Sequence, residues 1–326
     1  MDRRHFLQSS SVAIGAYALT ACARANALPL HFAPEMAEMD TTTFAASRRF
    51  AATSFGNIAY VEHGAGRAAL FLHGYPLNGF QWRGVIPRLA STRRCIAPDL
   101  MGLGYSNVLE SQAITPATQV QMLVELLDRL RIDQCDVVAN DSGGMIAQLL
   151  VIHAPHRVRS LLLTNCDAQE DCPPPSFKPF VALARRGGLA DKTIAPALLN
   201  KSAARSARGL GGIGYSNPLN PTDDAVEMYF KPIVSSSKRR AQYDALTIGL
   251  GSNALADSAR ALREYHGAVR IVWAADDVVF AKSSPAWLDQ LFPNSRGVRL
   301  VQHAKLFFPE EEPELIAAEA QLLWNA

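Results

Sequence analysis

The stretch "VVANDSGGMIAQ", residues 137–148, sets Asp141 and Ser142 between an apolar run and a pair of glycines. An apolar strand that turns sharply into a helix can hold one side chain out for chemistry, and the turn needs small flanking residues. Two registers satisfy it: Ala139 and Gly143 around Asp141, or Asn140 and Gly144 around Ser142. An aspartate at such a turn attacks carbon and forms an ester with the enzyme, splitting one difficult step into two. Opening that ester needs a water activated by a base, and histidine oriented by an acid is the common solution. Carboxylates are available at Asp167, Asp276 and Asp277, and histidines at His73, His153, His156 and His303.

These residues need a scaffold, and the chain supplies a rhythm. "NIAYVEH", "AALFLHG", "RCIAPDL", "QCDVVAN" and "RSLLLTNCD" read as strands, with helical patterns such as "TPATQVQMLVELLDRLRI" between them. That helix opens on a Thr-Pro start signal. Strands apolar on both faces that alternate with helices predict a mostly parallel, doubly wound α/β sheet covered on both sides. The rhythm breaks at "CPPPSFKPF" and returns at "AVRIVWAADD", followed by a helix around "SPAWLDQLF", the strand "GVRLVQHA" and a last helix in "EEPELIAAEAQLLW". Residues 45–170 and 256–326 are therefore expected to form one sheet domain, with 171–255 as a helical cap inserted after the sixth strand. The insertion falls on the sheet edge where open α/β sheets bind ligands.

From about residue 54 onward, four motifs in order carry a resemblance: Leu72-His73-Gly74-Tyr75-Pro76 with Trp82 after it; Asp99-x-x-Gly102-x-Gly104-x-Ser106; the elbow with its downstream "HAPHRVRSLLL"; and "IVWAADD" followed by "FFPEEEPE". The chain resembles the α/β-hydrolase fold family, in its capped epoxide hydrolase and haloalkane dehalogenase branch. In the family pattern the nucleophile stands two residues before the first paired glycine, which implies Asp141. The resemblance implies an oxyanion hole from the backbone N–H groups of Tyr75 and Ser142, and Asp277 as the acid, with Asp276 and Asp167 as alternatives. Dehalogenases resembling this chain place Trp after the nucleophile, where Ser142 stands here, whereas His73-Gly74-Tyr75-Pro76 matches epoxide hydrolases. Their cap tyrosines act as acids toward the epoxide oxygen, and the cap candidates are Tyr215, Tyr229 and Tyr243.

The histidine departs from the pattern. Counting back from Pro313, the family position falls on Leu306, which cannot accept a proton, and the nearest candidate is His303. The expected function is hydrolysis of a small apolar molecule through Asp141, with epoxides the first guess. The alternatives are a Ser142-dependent esterase, or a degenerate hydrolase scaffold that binds a small molecule.

The N-terminus is set aside from the fold. Residues 1–27 hold Arg3-Arg4, a short apolar stretch and Leu19-Thr20-Ala21-Cys22. They resemble a twin-arginine export signal with a lipobox, which implies a periplasmic protein, or an extracytoplasmic one anchored through lipidated Cys22. The net charge is +2, and no basic stripe interleaved with aromatics points to nucleic acid. No Cys/His cluster has metal-ligand spacing, and "GLGGIG" lies outside a strand–helix context for dinucleotide binding. No cofactor is expected. Cys166 and Cys172 are close enough in sequence to pair, which spacing alone does not establish.

Overall fold

The computed structural model describes residues 38–325. Residues 1–27, expected to be an export signal, lie outside the described residues, and Cys22 with them. Nine strands form one sheet among the described residues: β1 (Arg48–Thr53), β2 (Gly56–His63), β3 (Arg67–Leu72), β4 (Arg93–Pro98), β5 (Asn107–Val108), β6 (Cys135–Asp141), β7 (Val158–Cys166), β8 (Ala268–Ala274) and β9 (Ser295–Val301). Their order is β1-β2-β4-β3-β6-β7-β8-β9, with β5 paired to β2. All ladders from β4 across to β9 are parallel, and β2 runs antiparallel to both of its long neighbours. This is the α/β-hydrolase fold.

The centre of the sheet is the part that needs burial on both faces. Every residue of β6 is buried, and β3 and β7 are almost as enclosed. The β1 strand, "RRFAAT", is half-polar and was not legible as a strand; it forms an edge with Phe50 exposed. The helix Pro116–Arg129 covers the sheet, started by Thr115 in a capping box with Thr118. The helix Ser142–His153 follows β6 directly and is buried along ten of its residues.

After β7 the chain forms only helices until β8. That stretch follows the seventh strand, or the sixth if the two-residue β5 is left out of the count. Its longest helix, Ser237–Leu250, is capped by the Ser236 side chain and packs over the C-terminal side of the sheet, where Gly102 lies against Leu246. Cys166 and Cys172 are both buried and unpaired.

Candidate active site

The strand-to-helix turn falls on Asp141, whose φ and ψ are 55° and −131°. Positive φ is costly for a residue with a Cβ and persists only where the surroundings force it. Ser142 is already the first residue of the helix. The paired glycines explain how so tight a turn fits. A Cβ on Gly143 would lie 2.5 Å from the Leu72 carbonyl oxygen, and one on Gly144 would lie 2.3 Å from Cys166 Cβ. The helix thus starts pressed against β3 and β7, and Asp141 stands at its mouth.

The Asp141 carboxylate is gripped on one side. Its Oδ1 accepts from the Tyr75 N–H at 3.0 Å and from the Ser142 N–H. Oδ2 has no hydrogen-bond partner among the described residues, and the residue lines a cavity of about 510 Å³ between sheet and cap helices. Burial pushes the carboxyl up to about 6, against the two backbone donors, which lower it. A carboxylate held by two N–H groups on one oxygen, with the other unbonded, is arranged to attack with the second. The same donors would then stabilise the oxyanion when water opens the ester.

The turn that supplies the Tyr75 N–H is itself fixed by buried amides. Gly74 N donates to Gln81 Oε1 at 2.8 Å, and Gln81 Nε2 donates to Asn140 Oδ1 at 2.7 Å. Asn140 Nδ2 in turn donates to Thr164 Oγ1 at 2.9 Å and to the Leu306 carbonyl at 3.0 Å. One fully buried side chain so joins the oxyanion turn, β7 and the loop carrying Leu306. Replacing Asn140 with alanine orphans these partners, at a cost of about 2–3 kcal/mol. Chemical denaturation should show a loss of that size, with the activity per folded molecule falling as well because Tyr75 N–H is no longer held.

Two sequence motifs turn out to be supports. His73 Nδ1 meets the Gly74 carbonyl and its Nε2 accepts from Leu100 N–H, each at 3.0 Å. Burial holds its pKa down, so it is a neutral linker and no base. Asp99 binds Gly79 N–H at 2.9 Å and Tyr105 N–H at 2.7 Å, while Ser106 Oγ donates to the Asp99 carbonyl. The Asp-x-x-Gly-x-Gly-x-Ser loop is a latch between β4 and the cap, where Arg239 donates to the Gly104 and Ser106 carbonyls.

His303 does not face the cavity. The chain turns there with φ 60°, and the ring lies 93% exposed, 3.7 Å from Asp276. The loop leaving β9 sends this polar ring to water and folds Leu306 inward, where Leu306 is 3% exposed and lines the cavity with Phe307. His153 and His156 are exposed. Among the described residues the cavity wall contains no histidine.

Asp277 is buried at the end of β8, but neither of its oxygens is free. Oδ2 accepts from Asn165 Nδ2 at 2.7 Å and Oδ1 from Val279 N–H at 2.8 Å. Asp277 does not line the cavity, and no hydrogen bond joins it to a histidine among the described residues. Asp276 is largely exposed.

Of the cap tyrosines, two are committed elsewhere. Tyr215 donates to Glu310 at 2.6 Å, and Tyr229 accepts from Arg83, which is itself ion-paired with Glu310. These hydroxyls satisfy a buried charge pair, and neither tyrosine lines the cavity. Tyr243 does line it, stacked on Tyr75 with ring centroids 5.3 Å apart. Tyr75 OH meets Thr247 Oγ1 at 3.0 Å.

Sequence reasoning missed Gln81, Asn140 as a hub, and Asn165. Each is a buried amide in an apolar segment, the one sign available beforehand. No group of three or more His, Cys, Asp or Glu side chains among the described residues could hold a metal ion.

Comparison with known proteins agrees with this fold. The α/β hydrolase fold family model matches residues 69–312. The chain is 41% identical over 105 residues to a 2-hydroxymuconate semialdehyde hydrolase from Pseudomonas sp. (strain CF600), covering 31% of this chain and 37% of that protein. It is 40% identical over 108 residues to epoxide hydrolase 2 from Siraitia grosvenorii, covering 32% and 34% of the two chains. In both cases the chain matches little more than a third of the relative's length. The crystal structure of Cfl2 from Burkholderia cenocepacia superimposes with a TM-score of 0.70 at 22% identity, covering 84% of this chain and 94% of that one. The chain belongs to the α/β-hydrolase fold family.

Proposed function

We propose that this protein hydrolyses small apolar electrophiles by way of an ester on Asp141, with epoxides the best-fitting class. One observation carries the reading: a strained, buried aspartate has one oxygen held by two backbone N–H donors and the other unbonded at an apolar cavity. The lining supports a small apolar substrate, with Phe177, Phe180, Leu210, Ile213 and Phe230 among its walls. Its volume of about 510 Å³ is that of a small-molecule site. Ser142 fits a nucleophile less well, because it is the first residue of the helix, past the turn, and no histidine among the described residues lines the cavity with it. The resemblance of residues 1–27 to an export signal supports an extracytoplasmic setting for this activity.

The reaction opens with Asp141 Oδ2 attacking the less hindered carbon of the ring. The C–O bond breaks toward oxygen. Water then attacks Asp141 Cγ, with the oxyanion held by Tyr75 and Ser142 N–H, and the diol leaves. The base for that second step is not the family histidine, since Leu306 occupies its place.

Intact-mass measurement with 1,2-epoxyhexane tests the reading. The wild type should gain the mass of the epoxide on a peptide containing Asp141, and an Asp141→Asn variant should not. Attack needs the ionised carboxylate, so the initial rate of ester formation should rise with pH through about 6. A rate rising instead near the ordinary carboxylate range, about 4, would count against the buried environment as the source of the shift. An ester mapped to another residue would count against Asp141 itself.

A further inference from the structure

The cavity holds a second buried carboxyl. Asp167 is 3% exposed and lines the same wall as Asp141. It directly follows Cys166, the residue paired with Asp141 across the β6–β7 ladder, so both side chains stand on adjacent strand ends. No ion pair to Asp167 exists among the described residues. The side chain beside it is the Cys172 thiol.

The ionisable groups on the cavity wall are Tyr75, Asp141, Asp167, Lys192, Arg208 and Tyr243. Lys192 and Arg208 are exposed, so they belong to the cavity's outer side. Tyr75 spends its hydroxyl on Thr247, and Tyr243 lies with its hydroxyl next to those of Tyr75 and Thr193. Asp277 is outside the wall and fully hydrogen-bonded. That leaves Asp167 as the buried group that can both release a proton into the cavity and take one back.

We propose that Asp167 is the acid and base of this site, doing alone what a cap tyrosine and a histidine would otherwise divide between them. This deepens the proposed Asp141 chemistry and rests on it. Burial, and then the charge of Asp141, hold the Asp167 carboxyl well above the usual range, so it enters the reaction protonated. As Asp141 Oδ2 bonds to carbon and the ring C–O bond breaks, the departing oxygen takes the Asp167 proton. Asp167 is then a carboxylate beside a neutral ester. It takes a proton from water as that water's oxygen attacks Asp141 Cγ. When the tetrahedral intermediate collapses, Asp167 returns the proton to the leaving alkoxide. Collapse leaves Asp141 as the acid and Asp167 as the carboxylate, and the proton passes from Asp141 back to Asp167. The sum is epoxide plus water giving diol, with both carboxyls restored. The division of labour, one carboxylate as nucleophile and one carboxyl switching from acid to base, is that of a retaining glycosidase. Two carboxyls whose surroundings separate their proton affinities suit such a division.

The groups that face Asp167 are Asp141 at the end of β6, Cys166 on its own strand, and Asp171 and Cys172 in the following loop. None of them is cationic; the Cys172 thiol and the Asp167 backbone N–H favour the ionised form, but burial and the Asp141 charge outweigh them.

The experiment compares 1,2-epoxyhexane with 1-bromohexane on the wild type and on Asp167→Asn, following ester formation on Asp141 by mass. Bromide leaves without a proton; the epoxide oxygen does not. In Asp167→Asn, epoxide alkylation should fall about 100-fold or more, the range of general acid catalysis. Bromide alkylation should stay within about two-fold, which also shows the variant to be folded with its nucleophile intact. The wild-type epoxide rate should fall again at high pH as Asp167 ionises, and that limb should be missing in the variant. An epoxide rate unchanged by the substitution overturns the proposal, and so does an equal loss with both probes, which would make Asp167 a structural residue. A wild type alkylated by bromide but not by epoxide overturns the role of Asp167 while leaving Asp141 as nucleophile. A wild type alkylated by neither removes the Asp141 reading and this one with it.

Discussion

Asp141→Asn should abolish ester formation and turnover while making the protein more stable. The two effects have one cause. The carboxyl sits at about 6 in the folded chain because burial penalises its charge, against about 4 in an unfolded one. Between those values the folded state binds more protons than the unfolded state, so stability falls as pH rises. Above pH 6 the full penalty applies, about 2–3 kcal/mol. An asparagine of the same shape can still accept from Tyr75 and Ser142 N–H and carries no charge. Denaturation at pH 8 should therefore place Asp141→Asn above the wild type by that amount. The gap should close as pH falls through 6 and vanish below about 4, where both forms are neutral. A variant less stable at pH 8 would mean that the backbone donors outweigh burial. Stability surrendered to hold a reactive group is a common feature of active sites.

Leu306→His should speed breakdown of the Asp141 ester. Leu306 is 3% exposed and lines the cavity, and it stands at the position where the family resemblance implies a base. Its backbone is fixed, because Asn140 Nδ2 holds its carbonyl, and a histidine is close to leucine in size. Asp277, now bonded only to Asn165 and Val279, is the acid that the family resemblance would pair with it. General base catalysis contributes about 10²–10⁴-fold, and a retrofitted base should reach the lower end. The decay of the ester mass peak after removing excess epoxide should quicken about 100-fold, with formation of the ester little changed. The same substitution should restore ester breakdown to Asp167→Asn without restoring epoxide opening, since only the second step gains a base. Unchanged decay in Leu306→His would show that the position is not within reach of Asp141 Cγ.

The turn at Asp141 was legible because its demands are local: an apolar strand, one polar residue at the turn, and two glycines that β3 and β7 leave no room to replace. The run of helices between β7 and β8 was visible as a break in the strand–helix rhythm. The missing histidine was visible too, since it is a matter of counting back from Pro313. What the residue order could not show is which way side chains point once a loop is built. His303 and Leu306 are three residues apart, and the turn at His303 sends one to water and the other to the cavity. The tyrosines are similar. Tyr215 and Tyr229 are claimed by Glu310 and Arg83, a buried pair drawn from segments 227 residues apart. The amide chain from Gly74 through Gln81 to Asn140 spans 59 residues between its two side chains. None of these partnerships has a local pattern. Asp167 lay in view as one of several carboxylates, and only the cavity wall sets it apart from Asp276 and Asp277.

The central claim is that a bond forms between Asp141 and substrate carbon. A single turnover in water enriched in oxygen-18, with enzyme in excess over epoxide, tests it most directly. If Asp141 is the nucleophile, the oxygen added to the first diol is its own carboxylate oxygen. That diol should be unlabelled, and a peptide containing Asp141 should gain one heavy oxygen. A labelled diol from the first turnover, with Asp141 unlabelled, would contradict the account and make Asp141 a base that activates water against the substrate directly.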